Sequence, residues 1–406
     1  MKKDILFLGQ FFYPENNSSA TLPFDTACGL VKAGYSVDAL VGYPKEYCDK
    51  ENIPLKECTE GVNIQRIRYL QLSRGKKLSR LINYLSFTLS AILHLFKLSR
   101  YRSVIVYSNP PVLPLVAVLG NLLFGTKIVF VAYDVYPEIA YASNNVIPGS
   151  LLDKGMRCIN HLMYKRVSCV VALTDEMKSF LLENRPELTE DRVVTIANWA
   201  HEQLCAADQE AYETLGYESN QFVVSYFGNL GICQDVQTLL DAAKLLKDEP
   251  GIRFLIVGHG AKMADTADQI REYGLHNVQL LDFLTGKKFE QAISVSSCCV
   301  VSLEKGIKGM CAPSKFYSYL QGGKPVLAVV EEDSYLREEI LREQVGRAVT
   351  LGDADGLAQV IRLLAGDPEG CAQMGVRARQ QYDERYAMQI GLDKYTRIFT
   401  SLFEKK

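Results

Sequence analysis

Short apolar runs alternate with helix-patterned stretches along almost the whole chain, and this alternation limits the possible folds more than any other feature. The runs 4–8, 36–41, 64–69, 104–107, 127–131 and 169–173 read as strands, with helical patterns between them. A second series follows at 222–227, 253–257, 278–281, 298–303 and 325–329. Strands alternating with helices imply mostly parallel, doubly wound sheets. A length of 406 residues exceeds one ordinary core and suits two such sheets. The expected class is therefore α/β, with one domain over 1–198 and another over 199–384. Residues 197–201 and the polar stretch to Asn220 read as a linker. A last helix, over 385–406, is expected to pack back toward the first domain.

Composition narrows the class further. Hydrophobic residues make up 48% and charged ones 23%, which excludes a disordered chain and a bundle of spanning helices. The 11 cysteines are single except for Cys298-Cys299 and form no C-x-x-C pair, as suits a reducing cytoplasm. The opening apolar run is short and carries Asp4, so it reads as a strand and not as a leader. Residues 112–123 are apolar but fall short of the roughly 20 needed for a span. The five histidines, 94, 161, 201, 259 and 276, are far apart in sequence and read as structural, so no metal is expected. No H-E-x-x-H, P-loop or Ser-His-Asp order is present.

Charge is distributed unevenly. No acidic residue occurs between Glu60 and Asp134, an interval holding Arg66, Arg68, Arg74, Lys76, Lys77, Arg80, Lys97, Arg100, Arg102 and Lys127. The chain's net charge is −2, so the rest of it carries −12. One basic patch on an acidic protein points to an anionic partner. Within the interval Leu78, Leu81, Ile82, Leu85, Leu89, Ile92, Leu93 and Phe96 recur at helical spacing, and Tyr84 and Phe87 broaden the face. One amphipathic helix over 78–98 is expected. It would lie on an anionic membrane surface, using Arg74, Lys76, Lys77, Arg80, Phe87 and Phe96. The competing reading is a core helix with solvated basic ends.

Chemistry concentrates in the second series. Gly228-Asn229-Leu230-Gly231 closes a strand before a helix over 235–246, where backbone amides can approach an anion. Gly258-His259-Gly260 closes the next strand but lacks the third glycine of a dinucleotide fingerprint. A loop with Lys305, Lys308 and Gly309 then leads into Pro313-Ser314-Lys315, which suits a helix start. Amides and lysines in that order would hold a diphosphate. In the first series, a polar loop with Asn17, Ser18 and Ser19 follows the first strand, at the sheet edge where ligands bind. Asp134 and Glu138 follow another strand. Each can bind hydroxyls or act as a base, or else serve as a helix N-terminal carboxylate.

These separated motifs, in this order, resemble the family 4 (group 1) glycosyltransferases of the GT-B fold. Gly228-Asn229-Leu230 matches that family's G-R-L turn, and Gly258-His259-Gly260 its G-x-G turn. Residues 313–317 (P-S-K-F-Y), 134–138 (D-V-Y-P-E) and Asn198-Trp199 are similar to the WbuB-like branch of O-antigen and capsule sugar transferases. The resemblance implies two Rossmann-like domains with a cleft between them, the first for the acceptor and the second for a nucleotide-sugar. It implies donor contacts from Gly228, Asn229, Gly231, Gly258, Lys305, Lys308, Gly309, Ser314, Lys315 and Ser318. Asn17, Ser18 and Ser19 would face the acceptor, with Asp134 and Glu138 as the catalytic acids.

The implied reaction is a retaining, metal-independent transfer with no cofactor. The donor is a UDP-sugar in preference to a GDP-sugar, and the acceptor a polyprenyl-diphosphate-linked saccharide of capsule, exopolysaccharide or O-antigen. The enzyme would sit on the cytoplasmic face of the plasma membrane, with no nucleic-acid partner. Four positions depart from the pattern. Asn229 and Gln234 stand where the family has Arg and Lys, and Met310 and Ser318 where it has paired glutamates. Lys315 is the expected substitute at the diphosphate and Ser318 at the ribose. The same departures leave open a catalytically weak GT-B scaffold; a GT-B sugar-nucleotide epimerase is the other alternative.

Overall fold

The computed structural model describes residues 2–45, 48, 52–72, 77–200 and 208–404, which form two compact units. The first comprises Met1–Asn198 with Gly309–Ala312 and Gln389–Lys406; the second comprises Trp199–Lys308 and Pro313–Met388.

In the first unit the strands are β1 (Lys3–Gly9), β2 (Val37–Gly42), β3 (Lys56–Thr59), β4 (Val62–Ile67), β5 (Tyr101–Tyr107), β6 (Lys127–Ala132), β7 (Cys169–Ala172) and β8 (Val193–Thr195). They form one sheet in the order β3-β4-β2-β1-β5-β6-β7-β8. All pairs are parallel except β3 with β4. Ile5, Leu8, Val104, Ile105 and Val106 have no exposure, because helices cover both faces of a parallel sheet. That double burial is why the sequence shows continuous apolar runs. Strand order reverses between β1 and β5, where Leu8 pairs with Val106. Ligands of open α/β sheets bind outside the carboxyl ends at such a reversal. The terminal helix Met388–Glu404 lies in this unit from Gln389 onward. Thr400 exchanges a 2.9 Å hydrogen bond with Tyr35, and the Arg102 guanidinium sits 3.8 Å over the Phe403 ring.

The second unit carries β9 (Phe222–Asn229), β10 (Ile252–His259), β11 (Val278–Leu281), β12 (Cys298–Ser302), β13 (Val326–Val330) and β14 (Gly346–Thr350). They run parallel in the order β11-β10-β9-β12-β13-β14, so the reversal falls between β9 and β12. The expected linker is not wholly irregular. It contains the helix Gln209–Leu215, whose N-cap Asp208 accepts from the Ala211 amide. His201 lies outside the described residues.

Candidate functional site

The reversal point of the second sheet gathers most of the expected donor residues. β9 ends in Gly228, whose φ of +119° favours glycine, and a Cβ there would overlap the Lys315 ammonium. Gly258 pairs with Gly228 across β10 and β9, and a Cβ on it would collide with the Gly228 carbonyl. One glycine thus admits a lysine over the backbone, and the other lets two strand ends approach. Lys315 opens the helix Lys315–Gln321. Tyr319 on that helix accepts from the Phe227 amide at 3.1 Å, which fixes the helix against β9.

The Lys315 side chain is half-buried, 5.9 Å from the centre of the Tyr226 ring, and forms no ion pair among the described residues. Burial lowers its pKa to about 8. His259 sits edge-on to Phe283 at 5.0 Å; burial and the Lys315 charge lower its pKa. Asn229 is exposed, and the Gly231 amide donates to Gln234 Oε1 at 3.1 Å. Ser314 precedes the Lys315 helix without a side-chain cap bond, and Ser318 is half-buried on it. Lys305 is exposed, while Lys308 is paired with Asp333 at 2.6 Å. Sequence reasoning missed Lys262, whose ammonium reaches the Gln234 carbonyl and the Glu304 carboxylate, each at 2.6 Å.

Gly309 and Met310 have their neighbours in the first unit. The Gly309 amide donates to Glu176, and the Met310 carbonyl accepts from Val135 at 2.8 Å. An isolated bridge pairs Cys311 with Asp134, which follows β6, and the Asp134 amide donates to Ser108 Oγ. Burial raises the Asp134 carboxyl to about 6. Glu138 is committed elsewhere: it accepts from the buried Arg185 at 2.6 Å, and Arg185 also holds the Tyr136 carbonyl. Asn17 is the N-cap of the helix Ser18–Lys32, with Ser18 exposed and Ser19 half-buried.

The basic interval differs from expectation. The helix runs Lys77–Ile92 and is followed by a separate 3-10 turn, Leu95–Arg100, where Leu98 turns inward against Gly120. Phe87 is fully buried and packs on Tyr69, so it is a core residue and not a membrane-facing one. The positive charges are partly compensated. Buried Arg66 pairs with Glu57, Arg102 with Asp4, and Lys97 and Lys127 donate to Gln65 and to the Leu402 carbonyl. Arg80 donates to Asn145. Arg74 and Lys76 lie outside the described residues, as does the Lys77 side chain. Arg68 and Arg100 stay exposed, and so do many apolar side chains: Leu78, Leu85, Leu89 at 61%, Leu93 at 77% and Phe96 at 78%, with Leu122 and Leu123 beside the Phe96–Phe124 ring pair. Among the described residues no helix is long and apolar enough to cross a membrane.

Comparison with known proteins gives two family matches in chain order. Residues 24–199 match the glycosyl transferase 4-like domain, and residues 221–367 match glycosyl transferases group 1. The chain is 26% identical over 303 residues to the probable glycosyltransferase WbjE of Pseudomonas aeruginosa, covering 71% of this chain and 72% of that one. It is 28% identical over 143 residues to the putative colanic acid biosynthesis glycosyl transferase WcaI of Escherichia coli K12, about a third of each chain. Among solved structures it is similar to sucrose-phosphate synthase from Thermosynechococcus elongatus, with a TM-score of 0.79 at 15% identity and full coverage of both chains. Anabaena HepE in complex with UDP and glucose gives 0.73 at 16%, over 98% of this chain and all of that one. These structural likenesses establish the GT-B fold.

Proposed function

The chain belongs to the group 1 glycosyltransferases, and from that premise we propose that it moves a sugar from UDP onto a polyprenyl-diphosphate-linked saccharide during capsule, exopolysaccharide or O-antigen assembly. The observation that carries the donor half is Lys315: a half-buried ammonium at the β9 end with no carboxylate partner among the described residues. A buried cation without a partner is costly, and an arriving diphosphate removes that cost. Gly228, Asn229, Gly231, Gly258, Ser314 and Ser318 lie around it on the same strand ends and helix. The solved UDP complexes of HepE and the polysaccharide role in the name of WcaI support a uridine donor and this class of pathway.

In the transfer the acceptor hydroxyl oxygen bonds to the sugar's anomeric carbon as the bond from that carbon to the diphosphate breaks. The hydroxyl proton passes to the departing phosphate oxygen, and UDP leaves with configuration retained. The Lys315 ammonium stabilises the charge that grows on the diphosphate. Asp134, in the first unit, accepts from a hydroxyl of the acceptor neighbouring the attacking one and so orients the sugar for the transfer. Glu138 holds Arg185 in place and is not assigned to the chemistry.

The exposed leucines from Leu78 to Leu123, with Phe96 and Arg80, suit attachment to the lipid surface that carries such an acceptor. Thermal melting and calorimetric titration against UDP-, GDP- and dTDP-sugars test the reading. UDP-sugars are expected to raise the melting temperature and bind most tightly; the absence of any shift with all three classes refutes it.

A further inference from the structure

The loop 230–234, which follows β9 directly, is tied to two other strand ends by one lysine and one glutamate. The Lys262 amide donates to the Leu230 carbonyl at 2.8 Å, and its ammonium donates to the Gln234 carbonyl at 2.6 Å. The same ammonium meets the Glu304 carboxylate at 2.6 Å, and the Glu304 amide donates to the Cys233 carbonyl at 2.9 Å. Lys262 belongs to the turn after β10 and Glu304 to the segment after β12, the two strands that flank β9. Gly260 lets the turns come this close: its φ is +144°, and a Cβ there would strike Asn229 Oδ1 and the Leu230 carbonyl.

Energetics set this pair apart from the forces that hold the fold. The Lys262 and Glu304 side chains are 29% and 39% exposed, and ion pairs that wet add little to global stability. Their effect is local. Two oxygens from different segments hold a lysine stem that would otherwise sample many rotamers, and the stem in turn holds the loop. The Gly231 amide donates to Gln234 Oε1, so a displacement of Gln234 carries Gly231 with it. A charge already matched by a carboxylate has little attraction left for a diphosphate, so Lys262 works through the loop.

We infer that Lys262 is a positioning residue of the donor site: held by Glu304, it fixes the loop 230–234, and Gly231 with it, in the form that receives the nucleoside diphosphate, without itself touching the phosphates. This rests on the reading of the β9 end as the donor site, and it adds a residue from outside the strand end and helix to which that reading assigns the contacts.

Hydrogen exchange and calorimetric titration with UDP, both on the full chain, test it. Lys262→Met should weaken UDP binding about tenfold, since re-fixing the backbone of even one loop residue costs about that much affinity. In the empty protein the amides of 230–234 should exchange about tenfold faster, the same free energy read locally. Tm should change little. Lys262→Met combined with Glu304→Gln keeps the pair's net charge at zero. It should bind UDP as weakly as the single variant, whereas a charge effect on the diphosphate would vanish in it. Lys262→Arg, which can still bridge the carbonyl and the carboxylate, should restore both binding and exchange. Unchanged exchange in Lys262→Met, parental UDP affinity in the doubly substituted protein, no rescue by Lys262→Arg, or a sharp fall in Tm would each overturn the inference. A parent that binds no UDP removes the donor reading instead, and exchange still decides whether Lys262 holds the loop.

Discussion

Replacing Lys315 by methionine should stabilise the ligand-free protein and weaken its hold on UDP, two opposite effects with one origin. The ammonium lies against the Gly228 backbone, and burial takes its pKa from 10.5 to about 8. Held that far below its ordinary value, the charge costs the native state at most about 3 kcal/mol at neutral pH. Residual solvent access reduces the expected gain in Lys315→Met to about 1 to 2 kcal/mol. Methionine keeps the unbranched stem against Tyr226, so little packing is lost. Because the folded pKa is depressed, the unfolded chain holds more protons than the native one between about pH 8 and 10.5. The parent therefore gains stability as pH rises through that window and the variant does not. Melting curves from pH 7 to 10.5 should show the gap between them closing.

With UDP present the order reverses. The variant lacks one charge-assisted contact worth about 1.5 to 3 kcal/mol, or about ten- to a hundredfold in Kd. At pH 8 the parent's lysine is about half protonated, and a bound diphosphate restores the ammonium. Binding should therefore take up about half a proton per UDP, read by titration in buffers of different ionisation enthalpy. A Lys315→Met protein that binds UDP as the parent does, or that melts lower than the parent at pH 7, refutes the reasoning.

Two further predictions follow from the first unit. Asp134→Asn should cut turnover strongly while leaving stability at pH 7 equal or higher, because a carboxyl raised to about 6 destabilises the fold as pH climbs from about 4 to 6. In the parent, kcat/KM should rise through about pH 6, and a profile flat down to pH 5 removes Asp134 from the chemistry. Leu89→Glu combined with Phe96→Glu should abolish co-sedimentation with phospholipid vesicles, whereas Arg80→Gln should weaken only the salt-sensitive part seen with anionic vesicles. A parent protein that stays in the supernatant at low salt with both vesicle types ends the membrane reading.

How much could be read from sequence depended on burial. The central strands announced themselves because both their faces are covered. By contrast β3 (Lys56–Thr59) lies at the sheet edge with a half-exposed polar sequence, and β8 spans three residues. β14 exposes Arg347, and all three strands went unread. Periodicity marked a helix over 78–98 but could not say which side was core. Phe87 and Ala91 point inward while Leu85, Leu89 and Leu93 face out, and both sets are apolar. The acid-free interval overstated its positive charge for a related reason. Asp4 and Glu57, which pair with Arg102 and Arg66, come from outside it and meet it only through the sheet. Lys262 carries no signal in sequence, since a lone polar residue after a strand is ordinary; only its partners distinguish it.

On the proposed donor reading, the neutral residues at Asn229 and Gln234 leave the diphosphate few cations to meet. Lys262 brings a cation to the Gln234 carbonyl, but Glu304 already neutralises it, and Asp333 does the same for Lys308. Lys305 is exposed to solvent, where a lone charge is weak. Under that proposal the buried contact to the diphosphate therefore falls to Lys315. An arginine there would stay charged at any accessible pH and grip two phosphate oxygens at once. A single lysine depressed to about 8 does neither, so its hold on UDP should slacken as pH rises beyond that value, which an arginine-lined site would not show. The proposed donor site thus makes UDP binding depend on one titratable group, and the same group should tie the stability of the empty protein to pH.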